Sequence, residues 1–500
     1  MNNGKICVSV CAETADKFID KIRQAAEFAD VIEVRFDCVN ENEIDGVIRH
    51  IAGSALNKPL LATFRSPEQG GNGQITIEQR TEFWRNLPPS SFWAADLEED
   101  IADVQPAVEN RIVSFHDFGG VPNDLANIYE RLAASDGIIK IAVQANDITD
   151  AIPLWKLLEL AKSEGRHIIP IAMGEAGKWT RILGLAHGSP LAYASLESGS
   201  ETAPGQISAR DLTEIYCAKT LNANTAVYGI IGGNTSYSMS PYIHNAAFRA
   251  KNLNKVFVPL QTTKLDEFIC RMVKPEMREI ELNFAGFSVT APHKQAIIRH
   301  LNEIDESAKA IAAVNTVKIV DGKLFGFNTD AEGFIHPLKN AYENLRDARV
   351  AVVGAGGAAR ACIYALRKEG ADVTIFARDT QKARNLAEEF NTAIESLTQN
   401  SYSGFDFLVN TTPLGTIGIS ENDTVAASDQ LNNVKLVYDI VYNPAETRLL
   451  REAKAAGAQT INGLEMLIGQ AVRQFEIWTG TDAPKETMLS AARNKLKANS

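Results

Sequence analysis

Eight short apolar, β-branched runs recur along the first part of the chain, at 6–10, 31–36, 60–64, 92–97, 111–115, 138–143, 167–173 and 191–196. Between them, segments such as 16–28, 78–86, 125–134 and 152–163 repeat their apolar residues at helical spacing. Strands alternating with helices predict parallel pairing through right-handed crossovers. Eight such units predict a (β/α)8 barrel, with room for only a brief helix between 99 and 110.

The even pattern ends near Lys219, and the polar stretch Leu221-Asn222-Ala223-Asn224-Thr225 reads as a linker. A new α/β region opens at 226–231, and a further one at Arg349, where an apolar strand runs into a glycine cluster. The helical stretch 462–479 is expected to pack back on the middle region, and 415–428 reads as a flexible loop. The expected organisation is therefore α/β throughout. A barrel over 1–219 is followed by a two-lobed module, with one lobe over 226–335 completed by 462–500 and the other over 345–461.

Composition narrows the class. Of 500 residues, 45% are hydrophobic and 22% charged, as in globular proteins generally. The charge sum, 50 − 62 = −12, argues against a nucleic-acid or anionic-membrane surface. No apolar run reaches the roughly 20 residues that span a bilayer. The six cysteines, at 7, 11, 38, 217, 270 and 362, form no metal-ligand spacing and suit a reducing compartment. With no signal or transit pattern at the start, a cytoplasmic location without a metal site is expected.

Barrel chemistry sits at the C-terminal ends of the strands. Glu33 and Arg35 lie two apart on one predicted strand, so they share a face. Arg65 ends the third run, His116 the fifth, and Arg181 follows the seventh. Lys140 stands inside the apolar run Ile138-Ile139-Lys140-Ile141-Ala142-Val143. Desolvation there would lower its pKa, and a neutral amine can condense with a ketone. A snorkelling or carboxylate-paired lysine is the other reading. His116 has the chemistry of a proton carrier, or is structural. The three arginines together suit an anionic substrate, though each alone suits a surface ion pair.

Glu33-Val34-Arg35-Phe36-Asp37, Thr63-Phe64-Arg65, Ser114–Phe118, Lys140–Val143 and Ala203-Pro204-Gly205-Gln206-Ile207-Ser208 together resemble type I 3-dehydroquinate dehydratase. The resemblance spans about residues 5–215. It implies a Schiff base on Lys140 and proton transfer by His116. It also implies that Ser9, Glu33, Arg35, Arg65, Arg181, Thr202 and Gln206 hold the substrate. Two positions depart from the family pattern. Gln69 stands where a glutamate usually precedes paired glycines, and Thr202 replaces a serine. Gln69 can hydrogen-bond His116 or the substrate but cannot take a proton.

In the second half, Gly354-Ala355-Gly356-Gly357-Ala358-Ala359 follows an apolar strand and precedes a helical stretch, the context of a dinucleotide-binding turn. The next strand ends in Ala377-Arg378-Asp379. Ala377 and Arg378 stand where an acidic residue would grip the ribose diol, which favours a 2′-phosphate and hence NADP(H), with Lys382 adding charge. Asp379 is a counter-signal. Lys294 and Asp330, each alone, read first as a solvated lysine and a helix cap; meeting beside a carbonyl, they would make a proton-donating pair.

Tyr228-Gly229-Ile230-Ile231-Gly232, Ser238–Pro241 with His244, Thr290–Lys294, Ala313–Thr316, Asn328–Asp330, Asn410–Gly415, Tyr438–Tyr442 and Asn462–Leu467 with Gln470 resemble shikimate dehydrogenase. Ser288 stands where many members have asparagine. The resemblance implies Lys294 and Asp330 as the catalytic pair. It implies Ser238, Ser240, Thr290, Asn315, Asp330, Tyr442 and Gln470 as substrate contacts. Gly354 to Ala358, Ala377, Arg378, Lys382, Thr411 and Gly463 are the expected cofactor contacts.

The two resemblances together imply dehydration of 3-dehydroquinate followed by reduction of 3-dehydroshikimate to shikimate with NADPH. Small molecules, rather than nucleic acid or membrane, are the expected partners. Two rivals remain at this point: a barrel fused to an NAD-dependent quinate dehydrogenase, and a metabolite-sensing regulator built on these folds. Against the acidic whole, anion binding is expected to rest on buried local cations, Arg35, Arg65, Arg181, Lys294 and Arg378.

Overall fold

The computed structural model describes residues 2–53, 57–72, 75–89, 91–397 and 402–498. By contact the chain falls into two units, Met1–Pro241 with Asn254–Phe284, and Tyr242–Leu253 with Ala285–Ser500.

In the first unit all eight expected runs are strands: β1 (Lys5–Val10), β2 (Val31–Arg35), β3 (Leu60–Thr63), β4 (Ala94–Glu98), β5 (Asn110–Asp117), β6 (Ile138–Gln144), β7 (Ile168–Met173) and β8 (Leu191–Ser195). They are wholly parallel, in the order β7-β6-β5-β4-β3-β2-β1-β8, and the two-residue β9 (Ile207–Ser208) extends the sheet beyond β8. This is the curled sheet of a (β/α)8 barrel, although among the described residues no ladder joins β7 to β8. The stretch after β4 forms only a short turn of helix, Glu99–Ile101.

The strands are buried on both faces. Cys7, Val31, Leu61, Ala94, Ile112, Ile169, Leu191 and Tyr193 make one apolar cluster. Such burial contributes about 1.5–3 kcal/mol for each large side chain. Register stacks the polar positions near the strand ends, with Ser9 opposite Glu33, Arg35 opposite Thr63, Thr63 opposite Asp96, Glu98 opposite Ser114 and Ser114 opposite Lys140.

Cys11, just past β1, and Cys38, just past β2, are joined by a disulfide, which the reading of six scattered thiols did not anticipate. Sequence spacing of 27 residues carries no sign of it, because the two meet only when β1 and β2 pair. The same unit holds β10 (Ala226–Gly232) and β11 (Lys255–Gln261), paired in parallel.

In the second unit, β12 (Phe284–Val289), β14 (Thr316–Val320), β15 (Lys323–Phe327) and the short β13 (Glu303–Ile304) lie in the order β12-β14-β15-β13. A second, fully parallel sheet has the order β18-β17-β16-β19-β20-β21. Its strands are β16 (Arg349–Val353), β17 (Asp372–Ala377), β18 (Ala393–Ser396), β19 (Phe407–Asn410), β20 (Leu436–Asp439) and β21 (Gln459–Ile461). The order reverses at β16, the place where such sheets bind ligands. The helix Leu464–Thr479 packs on the helix Asp330–Ala341. Close approach is possible because the Gly333 Cα lies against Gly469.

Candidate active sites

The barrel mouth gathers the residues expected from sequence. Ser9, Glu33, Arg35, Arg65, His116, Lys140, Arg181, Thr202 and Gln206 line one pocket, together with Gln69, Phe118 and Tyr193. Lys140 is buried in β6, with its Nζ 2.8 Å from Asp96 Oδ2 and 4.0 Å from the centre of the Tyr193 ring. The two readings of this lysine therefore both hold: it is desolvated and it is paired. Burial lowers its pKa while Asp96 pulls the other way, and the net direction is down.

Two of the three arginines differ from expectation. Arg35 makes a two-pronged bond to Asp37, through Nε and NH2 at 2.8 Å each. Arg65 reaches Asp96 Oδ2 at 2.8 Å, Ser114 Oγ at 2.8 Å and Glu98 Oε1 at 3.3 Å. Both charges are thus already compensated, and both line the pocket as organisers of carboxylates. Arg181 is the exception. It is buried, its NH1 and NH2 stand 3.4 Å from the Tyr193 and Pro204 carbonyl oxygens, and its Nε has no partner. Among the described residues no carboxylate pairs with it, and burial pushes its pKa down to about 10. A buried, uncompensated cation is costly, and an anionic ligand would relieve it.

Glu33 accepts from the hydroxyls of Ser9 and Thr63, the latter at 2.8 Å. Thr202 N–H donates to Gln206 Oε1 at 2.7 Å, which shapes the segment after β8. His116 lies close to Gln69, and burial, with Arg65 and Lys140, holds its pKa well below the usual range against the opposing pull of Asp96. Burial alone would raise the Asp96 carboxyl, yet Arg65 and Lys140 hold it far below the ordinary carboxylate range.

Sequence reasoning missed Asp96, Glu98, Ser114 and Tyr193. Asp96 and Glu98 lie two apart on β4, so the shared-face signal that singled out Glu33 and Arg35 was present there too.

The second unit holds the other centre. Lys294 Nζ bonds Asp330 Oδ2 at 2.5 Å, and Asn315 Nδ2 donates to Asp330 Oδ1 at 2.7 Å and to Thr329 Oγ1 at 2.9 Å. Asp330 opens the helix Asp330–Ala341, so it is at once a first-turn acid and a lysine partner. Lys294 follows β12 on a short helical turn, and its carbonyl accepts from Val314 N–H. Thr290, Tyr442 and Gln470 are all half-buried in this unit, and Gln470 Nε2 bonds the Leu467 carbonyl oxygen at 2.8 Å.

His244 is not part of this centre's acid–base chemistry. It is buried against Gln474, with Nε2 3.1 Å from Oε1, and burial drops its pKa to about 3 although that contact opposes the fall. Gln474, unremarked in the sequence, also accepts from Ser288 Oγ and donates to Thr316 Oγ1. Ser238 and Ser240 belong to the first unit, where Ser240 N–H donates to Ser238 Oγ at 3.2 Å.

The glycine turn after β16 leads from the strand into a helix N-terminus and leaves its backbone open at Gly356. Gly354 has φ +120, and a Cβ at Gly356 would stand in open space at the N-terminus of the helix Gly357–Lys368. A Cβ at Gly357 would come within 3.2 Å of Lys294 Cδ, so the turn runs beside the Lys294–Asp330 pair. Thr411 Oγ1 bonds the Val353 carbonyl oxygen at 2.7 Å. Ala377 is buried at the end of β17, whereas Arg378 is exposed, not buried as expected, because it lies just past the strand. The side chain of Lys382 lies outside the described residues. Among the described residues no cluster of His, Cys, Asp or Glu is placed to hold a metal, and no helix is long and apolar enough to cross a membrane.

Family models match consecutive stretches of the chain. A family model described as type I 3-dehydroquinase matches residues 6–223. Models of the shikimate dehydrogenase substrate-binding domain, of shikimate/quinate 5-dehydrogenase and of the shikimate 5-dehydrogenase C-terminal domain match 230–317, 337–451 and 463–493. The chloroplastic bifunctional 3-dehydroquinate dehydratase/shikimate dehydrogenase of Arabidopsis thaliana is 35% identical over 97% of this chain and 83% of its own length. The NADP(+) shikimate dehydrogenase of Methanocaldococcus jannaschii is 38% identical over 55% of this chain and 99% of its own. A crystal structure of a shikimate dehydrogenase in complex with NADP+ is 38% identical, with a TM-score of 0.50, over 55% of this chain and 98% of that one. The chain belongs to the family of bifunctional 3-dehydroquinate dehydratase/shikimate dehydrogenases.

Proposed function

We propose that the chain dehydrates 3-dehydroquinate in its barrel, over about 1–219, and reduces the product to shikimate in the following module, whose lobes span 226–335 with 462–500 and 345–461. The observation that carries the first reaction is the buried Lys140, facing a pocket that also holds His116 and the uncompensated Arg181. Burial lowers the pKa of Lys140, so its ammonium releases a proton to solvent while Asp96 holds Nζ in place, and the neutral amine attacks the C3 ketone. Loss of water from that adduct gives the imine, whose positive nitrogen acidifies C2. His116 removes the C2 proton, the electron pair forms an enamine, and the C1 hydroxyl leaves as water with a proton returned by His116. Water then hydrolyses the imine and frees Lys140. Arg181 binds the substrate carboxylate, and Glu33, Ser9, Thr202 and Gln206 hold its hydroxyls. Arg35 and Arg65 keep the surrounding carboxylates in place.

For the second reaction, Lys294 Nζ holds a proton for the carbonyl oxygen of 3-dehydroshikimate as that oxygen becomes a hydroxyl. Asp330 and Asn315 fix the position of Nζ. Thr290, Tyr442 and Gln470 contact the substrate, and motif resemblance alone carries the same role for Ser238 and Ser240. NADP(H) binds at the turn Gly354–Ala358, whose backbone is open at Gly356, with Thr411 and Gly463 lining its site. Ala377 and the exposed Arg378 leave the 2′ position free of an acid and supplied with a cation. Lys382 follows them in sequence. When bound, the reduced dinucleotide supplies the hydride.

We place the chain in the cytoplasm with small molecules as partners, and neither nucleic acid nor membrane. The Cys11–Cys38 disulfide pulls against that placement, because cytosolic thiols are ordinarily reduced. Thiol labelling in intact cells decides it, with labelled Cys11 and Cys38 expected. Borohydride with 3-dehydroquinate tests the chemical core: an adduct is expected on Lys140. Equal trapping in Lys140→Ala would refute the Schiff-base assignment.

A further inference from the structure

Gln69 ends the short turn Pro67–Gln69 after β3, where its backbone N–H donates to Ser66 Oγ at 3.3 Å, and is followed by Gly70 at φ +81. Its Oε1 accepts from the backbone N–H of His116 at 3.1 Å and stands 3.0 Å from His116 Nδ1. The backbone N–H can only donate, so the amide atom facing it is the oxygen. That oxygen has no hydrogen to give. The close Nδ1 must therefore carry the proton, which leaves the lone pair of the neutral ring on Nε2.

We infer that Gln69 is a positioning residue: it holds His116 as the Nδ1–H tautomer with Nε2 as the base of the dehydratase, and, being an amide, does so without placing a negative charge beside the ring. This rests on the dehydratase reading above and adds the atom that moves the proton and the device that selects it.

The charge surroundings make the choice of amide consequential. The groups nearest in effect on the ring are Arg65 on the loop after β3, Lys140 on β6, Arg35 on β2 and Asp96 on β4, three cations against one carboxylate. Glu33, Arg181 and the Tyr193 phenol line the same pocket, Glu98 pairs with Arg65, and Glu68 and Asp117 are chain neighbours of Gln69 and His116. An imidazolium formed during turnover meets no carboxylate at Nδ1. His116 thus returns its proton readily, and the base stays neutral to low pH. A carboxylate at position 69 would keep the same acceptor geometry but favour the charged ring.

The test uses the full-length chain with Gln69→Glu and Gln69→Leu. In Gln69→Glu the acid limb of the dehydratase kcat/KM profile is expected to move up by about 1 pH unit, with the rate above that limb kept within about threefold. In Gln69→Leu kcat is expected to fall by roughly 10–100-fold at every pH, with KM changed less than about threefold. Nitrogen-15 spectra of histidine-labelled protein should show Nδ1 protonated in the parent and a mixed tautomer in Gln69→Leu. Far-UV circular dichroism and a thermal unfolding transition matching the parent report that the barrel of each variant is folded. An unmoved acid limb in Gln69→Glu, or a proton on Nε2 in the parent, overturns the inference. The spectra need no turnover, so they decide it even if the dehydratase reading itself fails in the borohydride experiment.

Discussion

Lys140, Asp96 and Arg65 illustrate how far a single residue can be read. The lysine in an apolar strand was visible in the sequence, because a charged group in a buried run must have a partner or a task. Its partner was not visible, since Asp96 lies 44 residues away and is brought close only by the barrel's register. The same holds for the arginines: three were legible as cations, and only packing distinguishes Arg181, with no carboxylate, from Arg35 and Arg65, which have them. Arg181→Gln should therefore raise KM for 3-dehydroquinate by roughly 10–100-fold, as a charged hydrogen bond of about 1.5–3 kcal/mol is lost, and should leave shikimate oxidation unchanged. Asp96→Asn should slow imine formation more than it alters KM, which single-turnover trapping would reveal. Arg378→Ala should raise KM for NADP while leaving that for NAD nearly constant, read by steady-state comparison of the two.

At the scale of elements, only β16 and β17 were read as strands in the second half. All eight barrel strands were legible, because parallel strands buried on both faces read as continuous apolar runs. Their ends moved by a residue or two, as at 92–97, where pairing begins only at Ala94. What sequence patterning could not show was the meeting of ends, such as the Cys11–Cys38 disulfide and the Gln474 cluster.

Two predictions belong here. A Cβ at Gly463 would stand 1.9 Å from the Ile440 carbonyl oxygen, so Gly463→Ala must displace the turn between β21 and the helix Leu464–Thr479. A loss of about 1–3 kcal/mol in denaturant unfolding is expected, with weakened dehydrogenase activity. Asp439, at the end of β20, is pushed up to about 6 by burial, against the bonds it accepts from Thr447, Val441 and Asn410. A carboxyl whose folded pKa lies above its unfolded value of about 3.9 favours the folded state fully below that value. The contribution is lost as pH rises through about 6. Relative to the parent, Asp439→Asn should lose less stability between about pH 4 and pH 6.5, by an amount on the order of 2–3 kcal/mol, measured by urea unfolding across that range.

The whole first unit includes a segment that sequence composition would assign elsewhere. Asp147, buried in the loop after β6, accepts from Thr262 Oγ1 at 2.9 Å and from Thr263 N–H at 2.8 Å, and the helix Lys178–His187 packs on β11. Lys156 pairs with Glu279 at 2.5 Å on the surface of the same unit. The linker expected at 219–225 is therefore not the end of the barrel's contacts. Asp147→Ala strands several buried donors at once, each costing about 1–3 kcal/mol, whereas exposed Lys156→Ala removes about 0–1 kcal/mol. Thermal unfolding should separate the two clearly, with a fall of several degrees for the first and almost none for the second.

The central claim is that one chain holds two consecutive active sites, and a coupled assay on the purified protein addresses it most directly. Given 3-dehydroquinate and NADPH alone, the parent chain should form shikimate with one NADPH consumed per molecule. Lys140→Ala should lose that reaction yet still reduce added 3-dehydroshikimate, and Lys294→Ala should accumulate 3-dehydroshikimate without consuming NADPH. No shikimate from the parent chain, or undiminished formation from 3-dehydroquinate in Lys140→Ala, would contradict the account.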